Sequence, residues 1–230
     1  DLIFQRYTKN DFEVKFNRPI TASSRFSMAP AITTTRYTDH NFVDKPDVFK
    51  TYAGLRLSYV LDNTKEEGMN MIVGSRGIAK LETYKSFEGK AFDFNKFVLD
   101  FRTYKKIYRQ MVLAARGSYG SFFGNAKKNF MLGGVDNWFF SKSNYDGQEN
   151  PLVISSNFDN SDILFSEFAT TMRGFDYNEL YGNQYLLFNF ELRIPIVKMF
   201  YSGPIGSSFL RNLQLNSFYD IGSAWNGRTP

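Results

Sequence analysis

Few residues in this 230-residue chain belong to the types that make and break bonds. There is no cysteine and a single histidine, His40. Disulfides, thiolate metal sites and cysteine nucleophiles are therefore excluded, and a Ser-His-Asp arrangement or a His-rich metal site has almost nothing to build on. His40 follows Asp39 in a polar stretch, where a solvated turn residue is the simpler reading than a ligand or a base. No Gly-rich phosphate loop, HExxH helix or GxSxG elbow occurs, so no enzyme activity, metal or cofactor is expected. What stands out instead is charge of both signs in the middle of otherwise apolar segments: Arg56, Asp100, Arg102, Arg116, Glu191 and Arg193.

Those charges fall on segments that alternate with period two, the signature of a strand with one apolar and one polar face. In 185–196, Leu186, Phe188, Phe190, Leu192 and Ile194 share a face, and Asn189, Glu191 and Arg193 share the other. In 212–221, Leu213, Leu215, Tyr219 and Ile221 oppose Gln214, Asn216 and Asp220, with Phe218 out of place on the polar side. Residues 52–62 set Leu55, Leu57, Tyr59 and Leu61 against Arg56, Ser58 and Asp62, and 96–104 set Phe97, Leu99 and Phe101 against Lys96, Asp100 and Arg102. Residues 110–119 set Met111, Leu113, Ala115 and Tyr119 against Gln110, Arg116 and Ser118, and 12–18 alternate Phe12, Val14 and Phe16 with Glu13, Lys15 and Asn17. A polar strand is expected over 24–38, with a bulge or an unpaired position at Pro30, which has no N–H to donate. Residues 69–83 read as a strand whose faces Gly74 and Gly77 leave open.

About eight strands result, each long enough for a tilted membrane crossing of roughly 9–11 residues. Compact turns near 21–23 and 105–107 contrast with longer segments at 39–50, 62–68, 84–95 and from 120 onwards, the asymmetry of outer-membrane barrels. The stretch 124–182 reads as one long loop, folded and tucked in. Aromatics are 18% of the chain, with 25 Phe and 14 Tyr, yet the mean hydropathy is −0.36; that pairing suits alternate residues meeting lipid and water. Tyr52, Tyr104, Tyr108 and Trp225 are candidate interfacial aromatics. The net charge of +5 is spread along the chain, which argues against nucleic-acid binding. No window reaches the roughly 18 apolar residues of a spanning helix, and no signal peptide opens the chain, as expected of a mature chain or an internal fragment. A soluble β-sandwich alternates as well and stays open at this point.

The segment TTMRGF at 170–175, followed by GNQYLLFNFELRIPI and LQLNSFYDIGSAW, resembles the BamA/TamA-type (bacterial surface antigen) outer-membrane superfamily. Asn189, Glu191, Arg193 and Pro195 match one strand pattern of that family, and Phe218, Asp220, Gly222 and Trp225 match the next. YVLDNT, GSRG, LDFRTYKKI, AARGSYG and LGG follow in family order, so the resemblance covers about 50–226. An insertion at 135–170 separates the Gly-Gly from Arg-Gly-Phe and is reminiscent of a subgroup with a periplasmic β-propeller domain.

The resemblance implies an all-β, antiparallel transmembrane β-barrel, with 1–230 forming part of one sixteen-stranded barrel domain, about strands six to thirteen. The loop 124–182 would be extracellular and folded inward, with Arg173 held by Glu191 and Asp220, Gly174 letting the tip approach the wall and Phe175 packing it. Arg56, Asp100, Arg102, Arg116 and Arg193 would face the lumen. The implied function is insertion or translocation of proteins at the bacterial outer membrane, with membrane lipid, client outer-membrane or exported proteins, and accessory lipoproteins or a larger membrane complex as partners. A passive pore or structural subunit is the alternative from another class, and a soluble enzyme or lectin on a β-sandwich a third. Were the eight strands complete in themselves, they would close into a small barrel with no room for the loop.

Overall fold

A computed structural model describes residues 5–40, 46–68, 71–134, 164–175 and 179–227. The chain folds into strands β1 (Gln5–Glu13), β2 (Phe16–Thr21), β3 (Ser24–Asp39), β4 (Val48–Asp62), β5 (Lys65–Gly68), β6 (Met71–Ser86), β7 (Phe94–Lys106), β8 (Val112–Gly124), β9 (Phe130–Gly133), β10 (Glu167–Thr171), β11 (Leu180–Gly182), β12 (Gln184–Pro195) and β13 (Gln214–Trp225). Two one-turn helices, α1 (Ile196–Phe200) and α2 (Ser208–Asn212), join β12 to β13. The principal sheet is an antiparallel meander in the order β1-β3-β4-β6-β7-β8-β12-β13, with β2 also on β3 and β5 on β6. Ten strands fall in this one sheet, unlike a sandwich, which divides its strands between two packed sheets. Nor is the sheet a closed eight-stranded barrel: among the described residues β1 and β13 do not pair with each other.

The segment read as one strand around Phe12–Phe16 is two, β1 and β2, and Pro30 is the reason. Both pieces pair with β3 in the same register, Glu13 with Ala31 and Phe16 with Met28. Between them Val14 donates its N–H to the Pro30 carbonyl at 3.1 Å, and proline returns no N–H, so the ladder opens without a bulge. On β6, Gly74 at φ 110° interrupts the alternation. Beyond it Met71 joins Tyr104, Val112 and Ala114 in one buried cluster, so parity counted from Arg76 fails there.

Two length expectations are corrected. The segments 39–50 and 62–68 flank the same strand, β4, and so lie at opposite ends of the sheet; the connection after Asp62 shares its end with the tight turns after Thr21 and Lys106. The long β12–β13 connection lies at that end too, so short and long connections do not sort cleanly by end. The tight turn after β7 falls at 107–111, since Lys105 and Lys106 are still in the strand.

The face bearing Leu55, Tyr59, Leu99, Phe101, Leu186, Phe188, Phe190, Leu215, Tyr219 and Ile221 is exposed. The other face holds the mid-strand charges and the core. Tyr52 and Tyr104 are on this inner face, 1% and 7% exposed, and are not interfacial aromatics: Tyr52 is buried among the rings of Tyr84, Phe94 and Phe165, and Tyr104 among Met71, Val112 and Ala114. Tyr108 is exposed on its turn, and Trp225 is half-buried.

The long loop is not irregular throughout. β10, β9 and β11 form a small sheet of their own, in which β10 runs parallel to β9. Its Phe130, Leu132 and Met172, with Phe165, pack on wall residues Tyr52, Tyr84, Phe94, Phe122, Tyr185 and Leu187. Most of the insertion at 135–170 lies outside the described residues. The described stretch 164–173 crosses the inner face from edge to edge: Lys9 on β1 donates to the Leu164 carbonyl at 3.2 Å, and Arg173 reaches Asp220 on β13. Lys9 of β1 and Lys96 of β7 are four strand spacings apart, about 19 Å in a flat sheet, yet they line one cavity and hold Leu164 and Glu167, which are only three residue steps, about 10 Å, apart. The sheet therefore curls, with the loop running as a chord across its concave side.

Candidate functional site

Strands β12 and β13 pair with Asn189 opposite Asp220 and Glu191 opposite Phe218. Both carboxylates thus point to the concave face two residues apart along neighbouring strands, because odd positions of β12 and even positions of β13 face inward. The Asp220 side chain is 1% exposed. It accepts from the Arg173 backbone N–H at 3.0 Å, from Nε at 3.0 Å and from Nη2 at 2.9 Å, and from Asn189 Nδ2 at 2.8 Å. A guanidinium fork on a carboxylate, helped by a backbone N–H, is among the strongest pairings available to side chains. Hydrogen bonding to Asp220 raises the Arg173 pKa above its ordinary value, and burial opposes this in part.

Glu191 holds Arg173 less closely. It lies 3.9 Å from Nη1 and receives Arg193 Nε at 3.0 Å. The clasp is therefore lopsided: Asp220 fixes the arginine, and Glu191 is shared with a wall arginine. Its floor is Phe218, the residue that broke the alternation of its strand. The Arg173 guanidinium carbon sits 3.9 Å from the centre of that ring, a cation–π contact. Sequence reasoning missed Phe218 as a site residue, although its inward position was the available signal.

Gly174 has a different role from the one expected. Nothing lies within 4 Å of where its Cβ would be, so it makes no close approach to the wall. Its φ of 90° is what requires glycine, because an L side chain there strains the backbone. Phe175 is half-buried against the aromatic core.

Other parts of the loop are tied down by the residues read as lumen-facing. Arg116 donates to Thr170 Oγ1 at 2.7 Å and through Nε to Asp100 at 2.8 Å. Arg102 takes the other oxygen of Asp100 at 2.9 Å. Lys96, missed by sequence reasoning as a site residue, bridges Glu82 at 3.0 Å and Glu167 of β10 at 2.8 Å. Arg56 does not meet the described part of the loop. It reaches across β3 to Asp11 at 2.7 Å and Glu13 at 2.6 Å, and to the Tyr84 hydroxyl at 3.1 Å, tying β1 to β4 and β6.

A curled antiparallel meander with an apolar outer face, a charged inner face and a loop laid across it is the fold of part of a β-barrel wall. The comparison with solved structures agrees: the chain is similar to the crystal structure of BamA from Haemophilus ducreyi lacking POTRA domains 1-3, with a TM-score of 0.59 and 13% identity. That match covers 97% of this chain and 42% of the BamA chain, so the present chain spans less than half of its length. No family model matches the sequence, and no curated protein matches it.

Proposed function

We propose that the chain is the middle-to-late part, about strands six to thirteen, of a sixteen-stranded barrel in the bacterial outer membrane, and that the whole protein assists insertion or translocation of other proteins there. The observation that carries this reading is the Arg173 clasp, formed by a loop tip on two neighbouring strands of a BamA-like fold. The clasp makes the loop an internal strut, bracing the wall from inside. Client outer-membrane or exported proteins would be engaged at the barrel's first and last strands, because an unpaired edge offers a row of donors and acceptors to an incoming strand. Lipid, accessory lipoproteins and a larger membrane complex are the partners such a barrel would have, and it performs no bond chemistry.

A passive pore is the competing reading. The aromatic packing between loop and wall, with Phe130, Leu132 and Met172 fully buried, argues against it, since it fills the side of the wall that a channel would keep wet. The test compares Arg173→Ala with Arg173→Lys in the full-length protein, read by client insertion into liposomes and by single-channel conductance. Arg173→Ala is expected to lose insertion activity, with Arg173→Lys intermediate, because lysine keeps the charge and loses the fork. Full insertion activity in both variants would refute the strut.

A further inference from the structure

The inner face carries a row of side chains that strand pairing alone would not favour. Arg76 on β6 is directly opposite Arg102 on β7, and Arg102 is directly opposite Arg116 on β8. Like charges at directly paired positions destabilise a sheet. Asp62 stands opposite Arg76 at one end of the row, but its carboxylate turns to the Thr64 N–H at 3.1 Å and hydroxyl at 2.6 Å.

Beside this row lies a cavity of about 300 Å³ lined by Arg76, Arg102, Arg116, Arg173 and Arg193, with Glu191 as the one acidic residue in its wall. The carboxylates near these arginines are already engaged. Asp100 serves Arg102 and Arg116, Glu191 serves Arg193 and lies near Arg173, and Asp220 serves Arg173. Among the described residues these five guanidinium groups thus face four carboxylates, of which Asp62 acts on Arg76 only at longer range. Arg76 makes no ion pair or hydrogen bond among the described residues, and its guanidinium lies 5.7 Å from the centre of the Tyr104 ring.

We propose that this cavity is a binding site for a phosphate-type oxyanion, carried either by free phosphate or by a phosphorylated headgroup. Guanidinium groups from four strands line the cavity, and the planar fork of Arg76, which holds no carboxylate among the described residues, matches two acceptor oxygens of a phosphate. An anion there would give Arg76 the close counter-charge that Asp62, turned to Thr64, does not. It would turn the repulsion between Arg76 and Arg102 into a shared contact. A cavity of this size holds a phosphate group together with a small substituent, and its wall residues are already placed.

The experiment uses the full-length protein in a phosphate-free zwitterionic detergent, with melting followed at constant ionic strength. Chloride is the reference, and inorganic phosphate, glycerol 1-phosphate and phosphatidic acid in mixed micelles are separate arms. Phosphate is expected to raise the melting temperature saturably. Arg76→Gln should weaken that apparent affinity roughly tenfold or more, yet melt no lower than the parent in chloride, because it removes a like-charge pair. Arg102→Lys, which keeps its charge beside Asp100, should fold and lose affinity as well. A shift with phosphatidic acid at concentrations where inorganic phosphate has none assigns the site to a headgroup and upholds the proposal. Equal shifts in parent and variants, no shift with any phosphate, stabilisation by an acidic peptide alone, or an Arg76→Gln protein that melts lower in chloride would each overturn it.

Discussion

At the scale of single residues, the clasp at Arg173 is an unequal arrangement, and the inequality is measurable. Asp220 takes three hydrogen bonds from Arg173, whereas Glu191 is near van der Waals range and is held mainly by Arg193. Asp220→Asn should therefore free the loop tip at a cost of about 2 kcal/mol or more, the range for hydrogen bonds to charged groups. Glu191→Gln should leave the tip in place. Trypsin cleavage after Arg173 reads this directly: fast in Asp220→Asn, slow in Glu191→Gln. Phe218→Leu removes the ring beneath the guanidinium and should weaken the tip by about 0.5–2 kcal/mol, giving an intermediate rate. Equal cleavage in all three variants would contradict the geometry.

At the scale of elements, Pro30 shows how one residue divides a strand without displacing it. Its carbonyl accepts from Val14, so a residue with an N–H at position 30 would complete the ring of two bonds between these partners. Pro30→Ala is expected to be neutral or to stabilise by about 0.5–1.5 kcal/mol, with slower amide exchange along Phe12–Phe16. A loss of stability would show that the proline sets the strand's path. Elsewhere, close packing rather than pairing joins loop to wall: a Cβ on Gly120 would come within 2.2 Å of the Tyr185 ring and 2.9 Å of the Phe130 ring. That glycine leaves room over β8 for the Tyr185 ring and for the edge of the loop's Phe130.

At the scale of the whole molecule, the outer face is the surface that water should not cover. Its exposed Leu, Phe, Tyr and Ile side chains extend over strands from β1 to β13, and a contiguous exposed apolar face marks a membrane or partner surface. Leu99→Arg, at the centre of β7 and facing outward, should cost about 2–4 kcal/mol when the protein refolds into lipid bilayers, measured by the denaturant midpoint. A shift below 0.5 kcal/mol, roughly that of an ordinary surface substitution, would mean the face is not in lipid. The concave side has its own continuity, from Lys9 beneath Leu164, through Lys96 and Arg116, to the Arg173 clasp.

The alternation of apolar and polar residues is enough by itself to assign the faces of β4, β7, β8, β12 and β13. Strand side chains alternate whatever their neighbours are, so Glu191 and Asp220 could be placed on one face from spacing alone. The Arg-Gly-Phe motif added a partner for them through resemblance. What pattern could not supply was register, because nothing within a strand states which residue of the next strand lies opposite. The row Arg76, Arg102 and Arg116, the floor under Arg173 at Phe218 and the small sheet inside the loop all depend on that pairing. Only the folded sheet, curled around its own loop, brings them together.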